Sequence, residues 1–397
     1  MEVCLLPNRQ AELVTTALFY RAGARDEPPG HAGLAHFLEH LMFKGSPGFG
    51  PGEVDRLTQA AGGLNNAFTG HNLTAYYFSF GADRWRRALA VEADRMAGLI
   101  LDPAEVASER QVILEEIAMY EDEPWDALEM AVVAALFPSH PYGRPILGHA
   151  ADLEATGPAE LADFHRRLYG PDNAVLVVAG DVGPQAATWI EEAFAPLPAR
   201  GGVRPPLPPL PSLSGLHRLE RHQGEVPRLL LALPAPPLSD PGHPPLRLLT
   251  ALVASGRASR LQRRLVEEAP TCLAVSAHLH DGAEAGFLAI AAEALPGVEP
   301  ARIEGELLAE LARLRAEPPA EDEVARARQV LLADWVLAHE RIHEQALVAG
   351  GALALHDLDE PRRSLAATLA AGPEELHAAA RSFLDPERGG VLGWSLP

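Results

Sequence analysis

His36, Glu39 and His40 are the residues of this 397-residue chain whose types and spacing most directly imply chemistry. They lie in HAGLAHFLEHLMFKG, His31 to Gly45, which reads as one helix stopped by Gly45. Leu34, Leu38 and Leu41 fall on one stripe of that helix, which must face a core. His36 and His40, four residues apart, share the roughly opposite face, with Glu39 on the same side. Two imidazoles one turn apart can grip one zinc ion at about 2.0–2.1 Å each. The order H-x-x-E-H inverts the commoner H-E-x-x-H zinc helix. It sets Glu39 beside the water that such a metal would activate, the place for a general base. A pair of solvated surface histidines is the plain alternative for this motif alone.

A catalytic zinc needs a third protein ligand and one open position. The segment AEVASERQVILEEIAMYED, Ala104 to Asp122, is a second helical pattern. Glu109 and Glu116 are seven residues apart in it, two turns, and so share a face. Glu115 points away from them. Glu116 as ligand, with Glu109 as the hydrogen-bonding support of a ligand, is the economical assignment. Acidic residues on a helix are otherwise a solvated face. No rival site is legible: His343-Glu344 begins an H-E pair, but Leu347 stands where the second His would be.

The elements that must carry these helices fall into two halves. GGVRPPLPPLPSLSG, Gly201 to Gly215, is dense in proline and favours an extended linker. Before it, the apolar run Ala174 to Ala179 closes at Gly180. After it come a similar run, Arg228 to Leu233, and a closing one, Gly390 to Pro397. Long helical patterns lie between, such as Glu321 to Ala349, and Ala67 to Phe80 reads as one alternating strand. The expectation is an α+β fold of two similar domains, each a mixed or antiparallel sheet packed with helices. The zinc-binding domain would be residues 1–200, the linker 201–215 and the second domain 216–397.

A formal net charge of -21 disfavours nucleic acid, whose phosphates must be neutralised by Lys or Arg. Two cysteines, Cys4 and Cys272, exclude a disulfide framework. No basic segment followed by an apolar run opens the sequence, and no stretch of about 20 apolar residues occurs. A cytoplasmic protein without a membrane anchor is therefore expected.

Five segments give the sequence a resemblance: GLAHFLEHLMFKGS (Gly33 to Ser46), LNNAFTGHNLTAYYF (Leu64 to Phe78), ERQVILEEI (Glu109 to Ile117), HPYGRPILG (His140 to Gly148) and NAVLVVAGDV (Asn173 to Val182). They resemble the pitrilysin / mitochondrial processing peptidase family of inverted-motif zinc metallopeptidases, in its short two-domain bacterial form. The match is dense over the first half and looser over the second. The resemblance implies one zinc ion per chain held by His36, His40 and Glu116, Glu39 as base, and Glu109 as support. It also makes Asn66, Ala67, Phe68 and Thr69 an edge strand that an extended peptide substrate would join.

In that family, members acting alone or as identical pairs carry an Arg and a Tyr seven residues apart in the C-terminal half. The corresponding stretch, Ser259 to Ala277, has Val266 and Leu273 there. All six tyrosines lie at or before Tyr169, so the C-terminal half cannot supply the phenol. The implied partner is a homologous subunit bearing that pair, in a heterodimer rather than a homodimer. A non-catalytic zinc-binding scaffold or peptide-holding subunit is the alternative.

Overall fold

The computed structural model describes the whole chain, residues 1–397. The first part of the sequence supplies β1 (Glu2–Pro7), β2 (Leu13–Tyr20), α1 (Leu34–Leu41), α2 (Glu53–Ala60), β3 (Leu64–Thr69) and β4 (Thr74–Gly81). Next come α3 (Arg86–Ala97), α4 (Pro103–Asp122), α5 (Pro124–Leu136), α6 (Ala150–Ala155), α7 (Pro158–Leu168), β5 (Ala174–Gly180) and α8 (Ala186–Phe194). Residues 201–214 carry no regular structure. Beyond them lie β6 (Leu216–His222), β7 (Arg228–Ala235), α9 (His243–Ala254), α10 (Arg260–Gln262, continued by wider turns to Glu268), β8 (Cys272–His280) and β9 (Gly286–Ala294). The chain closes with α11 (Pro300–Ala316), α12 (Glu321–Ala338), α13 (Ile342–Leu355), α14 (Glu360–Ala370), α15 (Pro373–Phe383) and β10 (Gly390–Leu396).

The fold is the expected duplicated α+β unit. One five-stranded sheet has the order β1-β5-β2-β4-β3 and the other β6-β10-β7-β9-β8. In each, the first pair is parallel and every other neighbour antiparallel. The chain forms two compact units. Unit 1 is Met1–Met119, Arg144–Leu207 and Leu337–Pro361; unit 2 is Tyr120–Gly143, Pro208–Val336 and Arg362–Pro397. Each unit therefore draws one segment from the far side of the linker: α13 belongs to unit 1 and α5 to unit 2.

Those two helices explain why the central strands read as continuous apolar runs. In β2, Val14, Leu18 and Tyr20 face the helical core that includes Leu34, Phe37, Leu38 and Leu41 of α1. Ala17 and Phe19 face the other way, onto Ala346 and Ala349 of α13. A strand covered on both sides has no solvent face to make polar. Contact is close enough that a Cβ on Gly350 would sit 2.0 Å from the Phe19 ring. In unit 2, a Cβ on Gly393 of β10 would meet Val132 Cγ2 of α5 at 2.5 Å.

Three boundaries differ from the sequence reading. The helix expected over His31 to Gly45 is only Leu34–Leu41. Gly33, at φ +92°, passes so near Leu147 that a Cβ would lie 2.3 Å from its carbonyl oxygen, and this crossing fixes the helix start. Ala67 to Phe80 is a hairpin, with Gly70 N–H donating to the Leu73 carbonyl (2.8 Å) across the turn between β3 and β4. Glu321 to Ala349 is broken at residues 339–341, because α12 and α13 serve different cores. Cys4 and Cys272 are free thiols. No helix is long and apolar enough to cross a membrane.

Candidate metal centre

Leu34, Phe37, Leu38 and Leu41 anchor α1 in the unit 1 core, which leaves His36, Glu39 and His40 on its other face. The helix is held at its N-terminus by the buried Glu27 carboxylate. That group accepts the N–H of Ala35 (2.9 Å) and of Gly33 (3.1 Å), two donors with no partner inside the helix. Burial pushes the Glu27 carboxyl up to about 8, against the pull of those two donors.

α4 crosses this face and brings the third residue. Glu116 Oε2 is 3.9 Å from His36 Nε2 and 3.7 Å from His40 Nε2. Donor atoms of all three residues lie within 4.8 Å of one another. Donors on one tetrahedral ion at about 2.1 Å stand roughly 3.4 Å apart, so the set needs only a small contraction to close on a metal. The donor types, two imidazoles and one carboxylate, suit zinc.

His40 Nδ1 is 2.8 Å from Glu109 Oε1. With Nδ1–H donated there, the Nε2 lone pair is the one presented to Glu116 and the metal position. The burial of His36 and the neighbouring His40 hold its imidazole down at about 4, so it is neutral and able to ligate over the ordinary pH range. Burial also pulls on His40, but the hydrogen bond to Glu109 and the surrounding carboxylates outweigh it and raise its pKa. Glu109 is lowered: burial is overcome by its contacts with His40 and Lys44. Glu39, whose carboxylate accepts a hydrogen bond from Thr69 Oγ1, is raised by burial. A carboxylate raised in this way is a better proton acceptor than a solvated one.

The structure thus brings together His36, His40, Glu116, Glu109 and Glu39. Of the four strand residues, Thr69 reaches the group directly. β3 is the outermost strand of its sheet, so its far backbone edge is unpaired. Ala67 packs toward the α1 side, whereas Phe68 stacks edge-to-face on Phe19. In unit 2, Val266 packs against the core and Leu273 lies 61% exposed on β8. Two contributors escaped the motif reading. Glu27 left no signal, because its partners are backbone groups. Lys44, whose Nζ is 2.7 Å from Glu109 Oε2, stood inside the motif segment without an evident role.

Comparison with known proteins places the chain in a family. Residues 3–150 match the family model described as insulinase (peptidase family M16), and residues 157–331 match that described as the peptidase M16 inactive domain. An uncharacterized zinc protease of Mycobacterium tuberculosis is 33% identical over 303 residues, covering 73% of this chain and 68% of that protein. The zinc protease PqqE of Helicobacter pylori is 27% identical over 352 residues, 85% of this chain and 77% of that one. Among solved structures, a protease from Helicobacter pylori superposes with a TM-score of 0.94 at 23% identity, covering 100% of this chain and 97% of that one. With its two similar sheets and its His-His-Glu cluster beside Glu39, the chain belongs to the M16 family of zinc peptidases, the insulinase family.

Proposed function

We propose that this chain is a zinc-dependent endopeptidase subunit that cleaves extended or unfolded peptides. The observation that carries the reading is the convergence of the His36, His40 and Glu116 donors beside the Glu39 carboxylate. Zinc held by His36, His40 and Glu116 would supply Lewis-acid polarisation of the scissile carbonyl and a water of lowered pKa near neutral pH. Glu39 takes one proton from that water and delivers it to the departing amine nitrogen. Thr69 holds the Glu39 carboxylate in place from β3. The peptide lies along the open edge of β3, its N–H and C=O groups pairing with those of Asn66 to Thr69, so affinity comes largely from backbone and not from sequence. Residues 1–200 supply the whole metal site. Residues 216–397, joined through the 201–215 linker, form the homologous part without the Arg/Tyr pair, and a partner subunit contributes that pair in a heterodimer.

The test is turnover of a quenched-fluorescent, unstructured peptide by the zinc-loaded chain, with Glu39→Gln as control. The control is expected to keep its zinc and lose activity. Turnover that survives it would remove Glu39 from the role of base. Full activity in a homodimer would remove the need for a partner. Bound zinc without turnover, even with homologous subunits added, would turn the reading into a zinc-binding scaffold.

A further inference from the structure

Lys44 is the sole lysine of the chain; every other residue among the 33 Lys and Arg is arginine. A sequence that uses guanidinium groups everywhere else keeps an ammonium at one position, and that position touches the support of the metal cluster. Glu109 is buried, and its two oxygens are divided between two partners. Oε2 takes Lys44 Nζ at 2.7 Å and Oε1 faces His40 Nδ1 at 2.8 Å. Lys44 lies one turn after His40. Its backbone is set by its N–H donating to the Leu41 carbonyl (3.0 Å), just before Gly45 turns the chain away at φ +146°.

The two cations would treat Glu109 differently. An ammonium is a compact point charge that satisfies one carboxylate oxygen, whereas a guanidinium is a planar fork suited to both oxygens at once. An arginine at position 44 would compete with His40 for Oε1 and free the imidazole to rotate. We propose that Lys44 is a positioning residue of the metal site: by engaging one oxygen of Glu109 only, it reserves the other for His40 Nδ1 and so aims His40 Nε2 at the metal. This rests on His36, His40 and Glu116 being the ligands. The competing view is an ordinary ion pair at a lysine 36% exposed, in which arginine would serve equally well.

The test compares wild type, Lys44→Met and Lys44→Arg in the full chain. Zinc affinity is measured by chelator competition and the coordination geometry by the visible absorption of the cobalt(II)-loaded protein. The thermal midpoint of the metal-free protein serves as the control for folding. Both variants are expected to bind zinc about 10–100-fold more weakly, with altered cobalt spectra and unchanged metal-free midpoints. Lys44→Arg binding zinc like wild type would overturn the proposal, whatever Lys44→Met does; so would an unimpaired Lys44→Met. If wild type itself bound no zinc, or bound it equally well after His40→Ala, the ligand assignment would fall instead, and the two failures are told apart.

Discussion

Units 1 and 2 share strand order and strand direction, yet only one gathers a candidate metal-binding set. In unit 1 the helix after the second strand, α1, is apolar on one face and carries His36, Glu39 and His40 on the other. Its topological counterpart α9 buries nearly all its residues from Leu246 to Ala254. The long helices α4 and α12 differ in the same sense. Glu116 on α4 faces two imidazoles, whereas Glu323 on α12 is gripped by Arg260 Nε and Nη2, each at 2.9 Å, in a groove also lined by Ala251, Leu252 and Val330. The frame is common to both units; the site is a handful of side chains added to one of them.

The sharpest break of this contrast is removal of a ligand. His40→Ala should weaken zinc binding by at least about 10³-fold, roughly 4 kcal/mol, in equilibrium dialysis. Arg260→Met, which frees Glu323 in unit 2, should leave the zinc stoichiometry unchanged. A second zinc appearing there would mean that the arginine alone suppresses a duplicate site.

Next in size is a pH effect seated in unit 1. His165, stacked on Tyr169 with Nε2 2.9 Å from the Arg95 carbonyl, is held down at about 4 by burial and by Arg200. The unfolded chain binds a proton at this residue near 6.5, and the folded chain does not until about 4. Its stability contribution is therefore complete above pH 6.5 and is lost as pH falls toward 4, by roughly 3 kcal/mol at most. Urea unfolding at the two ends of that window should show a shallower pH slope for His165→Gln. An identical slope would place the acid sensitivity elsewhere.

The smallest expected effect tests the equivalence of α13 and α5. Gly350→Ala and Gly393→Ala each push a methyl into a packed neighbour, Phe19 in one unit and Val132 with Leu128 in the other. Each should cost about 1–3 kcal/mol of stability in chemical denaturation. A neutral Gly393→Ala beside a destabilising Gly350→Ala would show that the two units do not depend equally on their borrowed helices.

Much of the site was legible because it is local. The spacing of His36, Glu39 and His40 follows from one turn of helix, and that of Glu109 and Glu116 from two. The continuous apolar runs of β5 and β7 announced central strands, and their repetition on both sides of the linker announced the duplication. What stayed hidden depends on segments distant in sequence. Gly33 starts α1 because of a backbone crossing near Leu147, which no local pattern reports. Glu109 divides its oxygens between His40 and Lys44, a geometry that exists only once α4 lies across α1. Nothing in the sequence of α13 named the sheet it would cover.

The borrowed helices also bear on how the molecule comes into being. While the chain is being synthesised, Ala17, Phe19, Val175 and Val177 of the first sheet have no covering layer until α13, ending at Leu355, has emerged. Unit 1 must therefore wait, with an apolar sheet face uncovered, for nearly all of the remaining polypeptide. Completion of unit 1, with its candidate metal centre, is in this way timed by the far end of the chain, and a truncated product would carry the His36–His40 motif without the layer that covers its sheet.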